Sequence, residues 1–242
     1  MDKPKKVRID LIDALRGIAV CAMILHHGMV LFEMMFDYSF KILQTSAFSI
    51  VQSLFVALFI LISGICTNYS RNVLKNGIIV TSAAIIITVI TAFILPAVGF
   101  SECQIYFGIL HMFGLSMLLY ALTEKPLSKI NATWGTVIFA ILFIAYYIIY
   151  LNAPLVDTKL LVIFGFTYPG FFSADFYPLL PYFFLFICGG YIGKFVKNNK
   201  FPKWFYEVKI PFFDFIGKHA LLIYVIHQPI IFFILYLVSL II

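Results

Sequence analysis

Residues 132–151 read ATWGTVIFAILFIAYYIIYL, twenty consecutive residues without a charge. At about 1.5 Å of rise per residue, a helix of that length covers the roughly 30 Å hydrocarbon core of a bilayer. Apolar and polar residues do not alternate along it, as they would in a strand of a transmembrane barrel. The rest of the chain has the same character. Of 242 residues, 63% are hydrophobic and 12% charged, with a mean hydropathy of +1.04. A soluble domain carries about 25% charged residues, and this composition leaves too few polar side chains to cover a water-facing surface. Disorder, collagen, a coiled coil and a small disulfide scaffold are excluded on the same grounds.

Working outward from Ala132–Leu151, further windows of spanning length lie at Asp10–Phe32, Ser46–Tyr69, Gly77–Val98, Gln104–Leu122, Phe176–Val196 and Phe215–Leu237. The expectation is an all-α integral membrane protein: a polytopic bundle of about seven transmembrane helices in a single domain over residues 1–242. The external connection Asn152–Asp175 carries the run Leu160–Phe166, too short to span, which is expected to lie along or dip into the outer surface. Lys3, Lys5, Lys6, Arg8, Arg71, Lys75, Lys125, Lys129, Lys194, Lys197, Lys200, Lys203 and Lys209 fall on one side of this arrangement, and only Lys41 and Lys159 on the other. The richer side, which includes the N-terminus, is the cytoplasmic one.

The net charge of +6 is therefore an orientation signal. It is not a nucleic-acid footprint, because no basic stripe interleaved with exposed aromatics accompanies it. Cys21, Cys66, Cys103 and Cys188 are far apart, form no CxxC pair, and read as small apolar fillers with no metal motif.

All five histidines lie inside predicted spans. Counting rise, His27 and His227 lie about 18 Å from the cytoplasmic side and His111 about 10 Å below the outer surface, with Asp175 just above. A second polar layer near the cytoplasm gathers Asp10, Asp13, Arg16, Lys218 and His219. Asp13 and Arg16 have the spacing of a helical ion pair. Arg16 and His27 are eleven residues apart, close to three turns, so they project from one side, while His26 points about 100° away. Pro229 removes a backbone donor and bends the last helix, which offers His227 a structural role as a hydrogen-bonder at the kink.

Four segments carry a family resemblance: Arg8-Ile-Asp-Leu-Ile-Asp13-Ala-Leu-Arg16-Gly17 with His27 beyond it; Phe107-Gly-Ile-Leu-His111-Met; Asp175-Phe-Tyr-Pro178-Leu-Leu-Pro181-Tyr with Gly189-Gly190; and Gly217-Lys-His-Ala-Leu-Leu-Ile-Tyr224-Val-Ile-His227-Gln228-Pro229. The first contains the Arg-x10-His pattern of the transmembrane acyltransferase superfamily. Together they resemble the bacterial branch of the heparan-α-glucosaminide N-acetyltransferase catalytic-domain family. The resemblance implies a protein of the bacterial cytoplasmic membrane. It would transfer an acetyl group from cytosolic acetyl-CoA to an amine or hydroxyl of an extracytoplasmic acceptor such as a glycan. The loop Glu33–Thr45, where the eukaryotic branch carries a histidine, has none, which leaves His27 as the candidate base.

Such chemistry needs a proton acceptor, and histidine titrates near neutrality. His27 is the expected general base and His111 the second catalytic or orienting group. Tyr224 and Gln228 are candidate oxyanion donors, and His227 shares their layer. Arg16, paired with Asp13, and Lys218 are placed for the phosphates of CoA, and Asp175 for the acceptor or for capping the sixth helix. No metal is expected. An exporter or proton-coupled transporter built on the same His/Asp layer is the alternative, although no internal repeat is visible.

The sequons at Asn68 and Asn131 fall on the cytoplasmic side. Expressed in a glycosylating membrane, the protein should carry no glycan at either. A gel shift reversed by an endoglycosidase at one of them would invert the topology.

Overall fold

The computed structural model describes residues 9–97 and 103–241. Lys3, Lys5, Lys6 and Arg8 of the orientation argument, and Val98 at the end of the third window, lie outside the described residues. The described residues form helices and turns with no strand. The helices are α1 (Asp10–Phe36), α2 (Ser46–Cys66), α3 (Val73–Val89, running on through a π turn at Ile90–Ile94 into Leu95–Ala97), α4 (Ile109–Ser128), α5 (Ala132–Leu151), α6 (Leu179–Lys197), α7 (Lys203–Glu207), α8 (Pro211–Lys218) and α9 (Ala220–Ser239). Two compact units result, Met1–Ile62 with Phe201–Ile242, and Ser63–Lys200. The boundary falls within α2.

In the first unit α1 packs along α8 and α9. Asp10 and Asp13 occupy the first turn of α1, where the helix dipole favours carboxylates. Gly17 and Gly217 let the two backbones touch: a Cβ on Gly17 would overlap the Phe213 carbonyl, and one on Gly217 the Asp13 carbonyl. Farther along, His27 meets His227 and Gly28 lies beside Ile231. Residue numbers rise together on both sides of this contact, so α1 and α9 run parallel.

Among the described residues six helices are long and apolar enough to cross a membrane: α1, α2 with its extension to Tyr69, α3 through Ala97, α5, α6 and α9. The expected fourth span forms as a 20-residue helix, α4, but Glu124 and Lys125 in its last turns and His111 in its first shorten its apolar stretch. Among the described residues the spanning helices thus number six, against the seven windows of the sequence.

Two span boundaries differ from expectation. The sequence places the fourth window from Gln104, yet α4 starts at Ile109. On α3, Thr88 donates to the Ile105 carbonyl and Thr91 accepts from the Ile105 N–H, and together they keep that stretch out of helix. The last window reads as continuous from Phe215. It breaks at His219, which separates the short α8, with exposed Phe212 and Phe215, from the spanning α9. The run near Leu160–Phe166 becomes a 3₁₀ turn at Lys159–Phe164, closed by Gly165 at φ +94°.

In the second unit α3 and α4 are antiparallel, with Gly77 against Leu118 and Gly114 against Thr81. Helices α5 and α6 pair through Gly135 against Tyr191, whose hydroxyl donates to the Leu127 carbonyl (2.7 Å). Asn68 donates to the Gly190 carbonyl (2.8 Å), fixing the end of the second span to α6.

The α1–α8 contact is the tightest test of this packing. Gly17→Ala and Gly217→Ala should each cost about 1–3 kcal/mol by overpacking, read as a lowered Tm in detergent. Gly28→Ala, whose added Cβ would meet nothing nearer than Ile231 at 3.9 Å, should be neutral or stabilising.

Candidate functional site

The polar residues of the first unit form two groups along the α1 face that meets α8 and α9. The lower group begins with Arg16. Its Nη1 pairs with Asp13 Oδ1 (3.3 Å) and donates to the Gly217 carbonyl (3.3 Å), at the negative end of α8. Lys218 donates to Asp214 Oδ2 (2.5 Å), one turn earlier on α8, and reaches Asp10 Oδ1 across to α1 (3.7 Å). That hydrogen bond from Lys218 to Asp214 holds the Lys218 ammonium above the ordinary lysine range, with the charges of Asp214, Asp10 and Asp13 adding to it. Three carboxylates thus face two cations, and both cations expected to hold phosphate are engaged by protein partners. His219, which the sequence places in this layer, is exposed, its Nδ1 against the Phe215 carbonyl (2.9 Å).

The upper group is built around His27. Its Nδ1 lies 2.8 Å from His227 Nε2, with the two rings stacked at 18° and 5.1 Å between centroids. Gln228 Nε2 lies 3.3 Å from the same Nδ1. His227 is buried, and its other nitrogen, Nδ1, sits 2.5 Å from the Tyr224 carbonyl. Among the described residues His27 Nε2 has no hydrogen-bond partner. His26, a third of a turn away as predicted, contacts Gln52 of α2 instead (3.1 Å). The carbonyl used by His227 is that of Tyr224, three residues back, rather than that of Val225, which Pro229 leaves without its donor. Helix α9 continues through Pro229.

His111 and Asp175 lie in the second unit, and both serve the start of α4. Gly108 N–H donates to His111 Nδ1 (3.1 Å), and Ile109 N–H donates to Asp175 Oδ2 (3.1 Å). With its Nδ1 accepting, His111 carries its proton on Nε2 and donates to Thr88 Oγ1 (3.0 Å), whose hydroxyl donates to the Ile105 carbonyl (2.8 Å). Both ring nitrogens are occupied. Asp175 is buried and caps α4 rather than the sixth helix.

The structure therefore brings together His27, His227 and Gln228, with the Tyr224 backbone; Asp13 with Arg16; and Asp175 with the helix start that His111 also caps. Sequence reasoning missed Asp214, although its i,i+4 spacing from Lys218 was a usable signal. It also missed Thr88 and Gln52, whose partners are 23 and 26 residues away and leave no local trace. Among the described residues no three His, Cys, Asp or Glu side chains gather as a metal site.

Residues 8–229 match the family model described as "Heparan-alpha-glucosaminide N-acetyltransferase, catalytic". No curated protein and no solved structure matches the chain.

The helix-start role of His111 has a measurable signature. His111→Leu should lower stability by about 0.5–2 kcal/mol, the worth of a lost cap. His111→Asn, whose side-chain oxygen can stand near the Nδ1 position, should keep most of it. Thermal unfolding in detergent reads the difference.

Proposed function

The chain belongs to the heparan-α-glucosaminide N-acetyltransferase catalytic family, and from that membership we infer an enzyme that moves an acetyl group from cytosolic acetyl-CoA to an amine or hydroxyl on an extracytoplasmic acceptor such as a glycan. It works as a single transmembrane domain in the cytoplasmic membrane of a bacterium. The observation that carries the reading is His27: an imidazole inside a spanning helix, held through Nδ1, with no hydrogen-bond partner at Nε2 among the described residues.

His27 is the general base. As the acceptor's oxygen or nitrogen attacks the thioester carbon, its proton passes to His27 Nε2. The carbon–sulfur bond then breaks, and the departing CoA sulfur takes the proton from the same nitrogen. The acceptor gains the acetyl group, CoA leaves as the thiol, and the ring returns to its starting state. A positioned base of this kind contributes about 10²–10⁴-fold to rate.

The remaining residues of the expected site divide by what they touch. His111 and Asp175 shape the start of α4, and His111, with both nitrogens engaged, serves as an orienting group rather than as a second base. Arg16 and Lys218 bind carboxylates and the end of α8. The phosphates of CoA fall to the exposed lysines of the cytoplasmic loops, which also draw the anion in by long-range attraction.

The test is transfer from labelled acetyl-CoA, supplied on the cytoplasmic face of vesicles, to a panel of soluble amino sugars and glycans inside. His27→Ala should fold, by unchanged Tm and size-exclusion profile, and lose about 10²–10⁴-fold in kcat. A folded His27→Ala protein with wild-type activity would overturn the assignment.

A further inference from the structure

The hydrogen bonds behind His27 have a direction, and it is set at a backbone carbonyl. The Tyr224 oxygen, 2.5 Å from His227 Nδ1, has no hydrogen to give, so His227 Nδ1 carries one. A neutral imidazole carries a single N–H, which leaves a lone pair on His227 Nε2. His27 Nδ1, 2.8 Å away, must therefore donate to it. His27 then holds its own proton on Nδ1 and its lone pair on Nε2. Gln228 Nε2 lies 3.3 Å from the same nitrogen, and since an N–H cannot accept, the tautomer requires the Gln228 carboxamide to be turned so that its oxygen faces His27.

We propose that His227 is a positioning residue. It reads the Tyr224 carbonyl and relays that reading to His27 as a fixed tautomer, so that the base lone pair stands on the ring nitrogen of His27 that has no hydrogen-bond partner among the described residues. The inference rests on the acetyltransferase reading and extends it to a residue that need not touch either substrate. Without an acceptor at the His227 Nε2 position, His27 can equally hold its proton on Nε2, where the acceptor's proton has to arrive. While His27 is protonated during the reaction, the same His27–His227 hydrogen bond becomes charge-assisted and strengthens. A carbonyl takes no proton from His227, so the relay orients the base without draining it.

Two experiments test the proposal. In the first, the wild-type protein labelled with ¹⁵N-histidine is studied by NMR in nanodiscs at neutral pH, with His27 assigned by comparison with His27→Gln. A protonated Nδ1 and unprotonated Nε2 on His27 are expected. A protonated Nε2 overturns the proposal whether or not any acetyl transfer is detected. In the second, His227→Phe keeps a ring of similar size and removes the acceptor. It should lower kcat about 10- to 100-fold, the usual scale for a lost orienting partner, with the KM for acetyl-CoA unchanged. His227→Gln puts a carboxamide oxygen near the lost Nε2 and should recover most of the rate. Equal rates in both variants and wild type overturn the proposal, and so does a His227→Gln enzyme as slow as His227→Phe. If His227→Phe does not fold, the NMR result and the His227→Gln rate decide. If the wild type itself transfers no acetyl group, the acetyltransferase reading fails while the spectrum still settles the tautomer.

Discussion

The architecture of the first unit hangs on a place where two helices touch without side chains between them. Gly17 on α1 and Gly217 on α8 each lie against a carbonyl of the other helix. In a bilayer, where lipid is as apolar as leucine, close approach of this kind supplies much of the force that holds helices together. Arg16, beside Gly17, donates to the Gly217 carbonyl and so locks register as well as distance. With α1 and α8–α9 parallel and in fixed register, about three turns on from Arg16 bring His27 level with His227. The two ends of the Arg-x10-His pattern thus do different work: the arginine sets the alignment that the histidine uses.

Much of this was legible before the structure. Span length, the lack of alternation and the side on which the lysines fall depend on composition and on the thickness of the bilayer, and the sequence reports both directly. The common projection of Arg16 and His27 depends on helical periodicity and is likewise local. Partners are a different matter. That Arg16 would meet Gly217, or His27 meet His227, depends on which helices pack and at what depth, and no periodicity records it. The break at His219 is hidden because Phe215-Ile-Gly217 before it and Ala220-Leu-Leu-Ile223 after it are apolar, with Lys218 the one charge between Phe215 and the break. A short surface helix and the first turns of a span look alike in composition until backbone contact with Asp13 separates them. The start of α4 was misplaced for a related reason: Thr88 and Thr91 act on Ile105 from another helix.

His111 and His27 show why a histidine in a span is not by itself a base. Each has a neighbour that fixes its tautomer, but with opposite results. A backbone N–H occupies the Nδ1 lone pair of His111 and sends its proton to Thr88, so the ring is closed on both sides. His27 is closed on one side only. Counting histidines in membrane depth found both residues, and only the identity of the hydrogen-bond partners distinguishes them. The layer of charges around Arg16 and Lys218 teaches the same lesson for cations. Arg16 and Lys218 stand where phosphate binding was expected, yet their charges are matched by Asp13, Asp10 and Asp214.

The pairing of α1 with α8–α9 also has a consequence for how the protein is made. His27 and His227 are 200 residues apart, so the contact that completes their site has a very high sequence separation. During synthesis α1 enters the membrane long before its partner exists, carrying Asp13 and Arg16 near one end and two histidines near its middle. Until α8 arrives, Asp13 and Arg16 can pair with each other within α1. Cells that slow or truncate translation between Lys200 and α8 would accumulate an inserted protein whose second unit is complete and whose histidine pair has not yet formed.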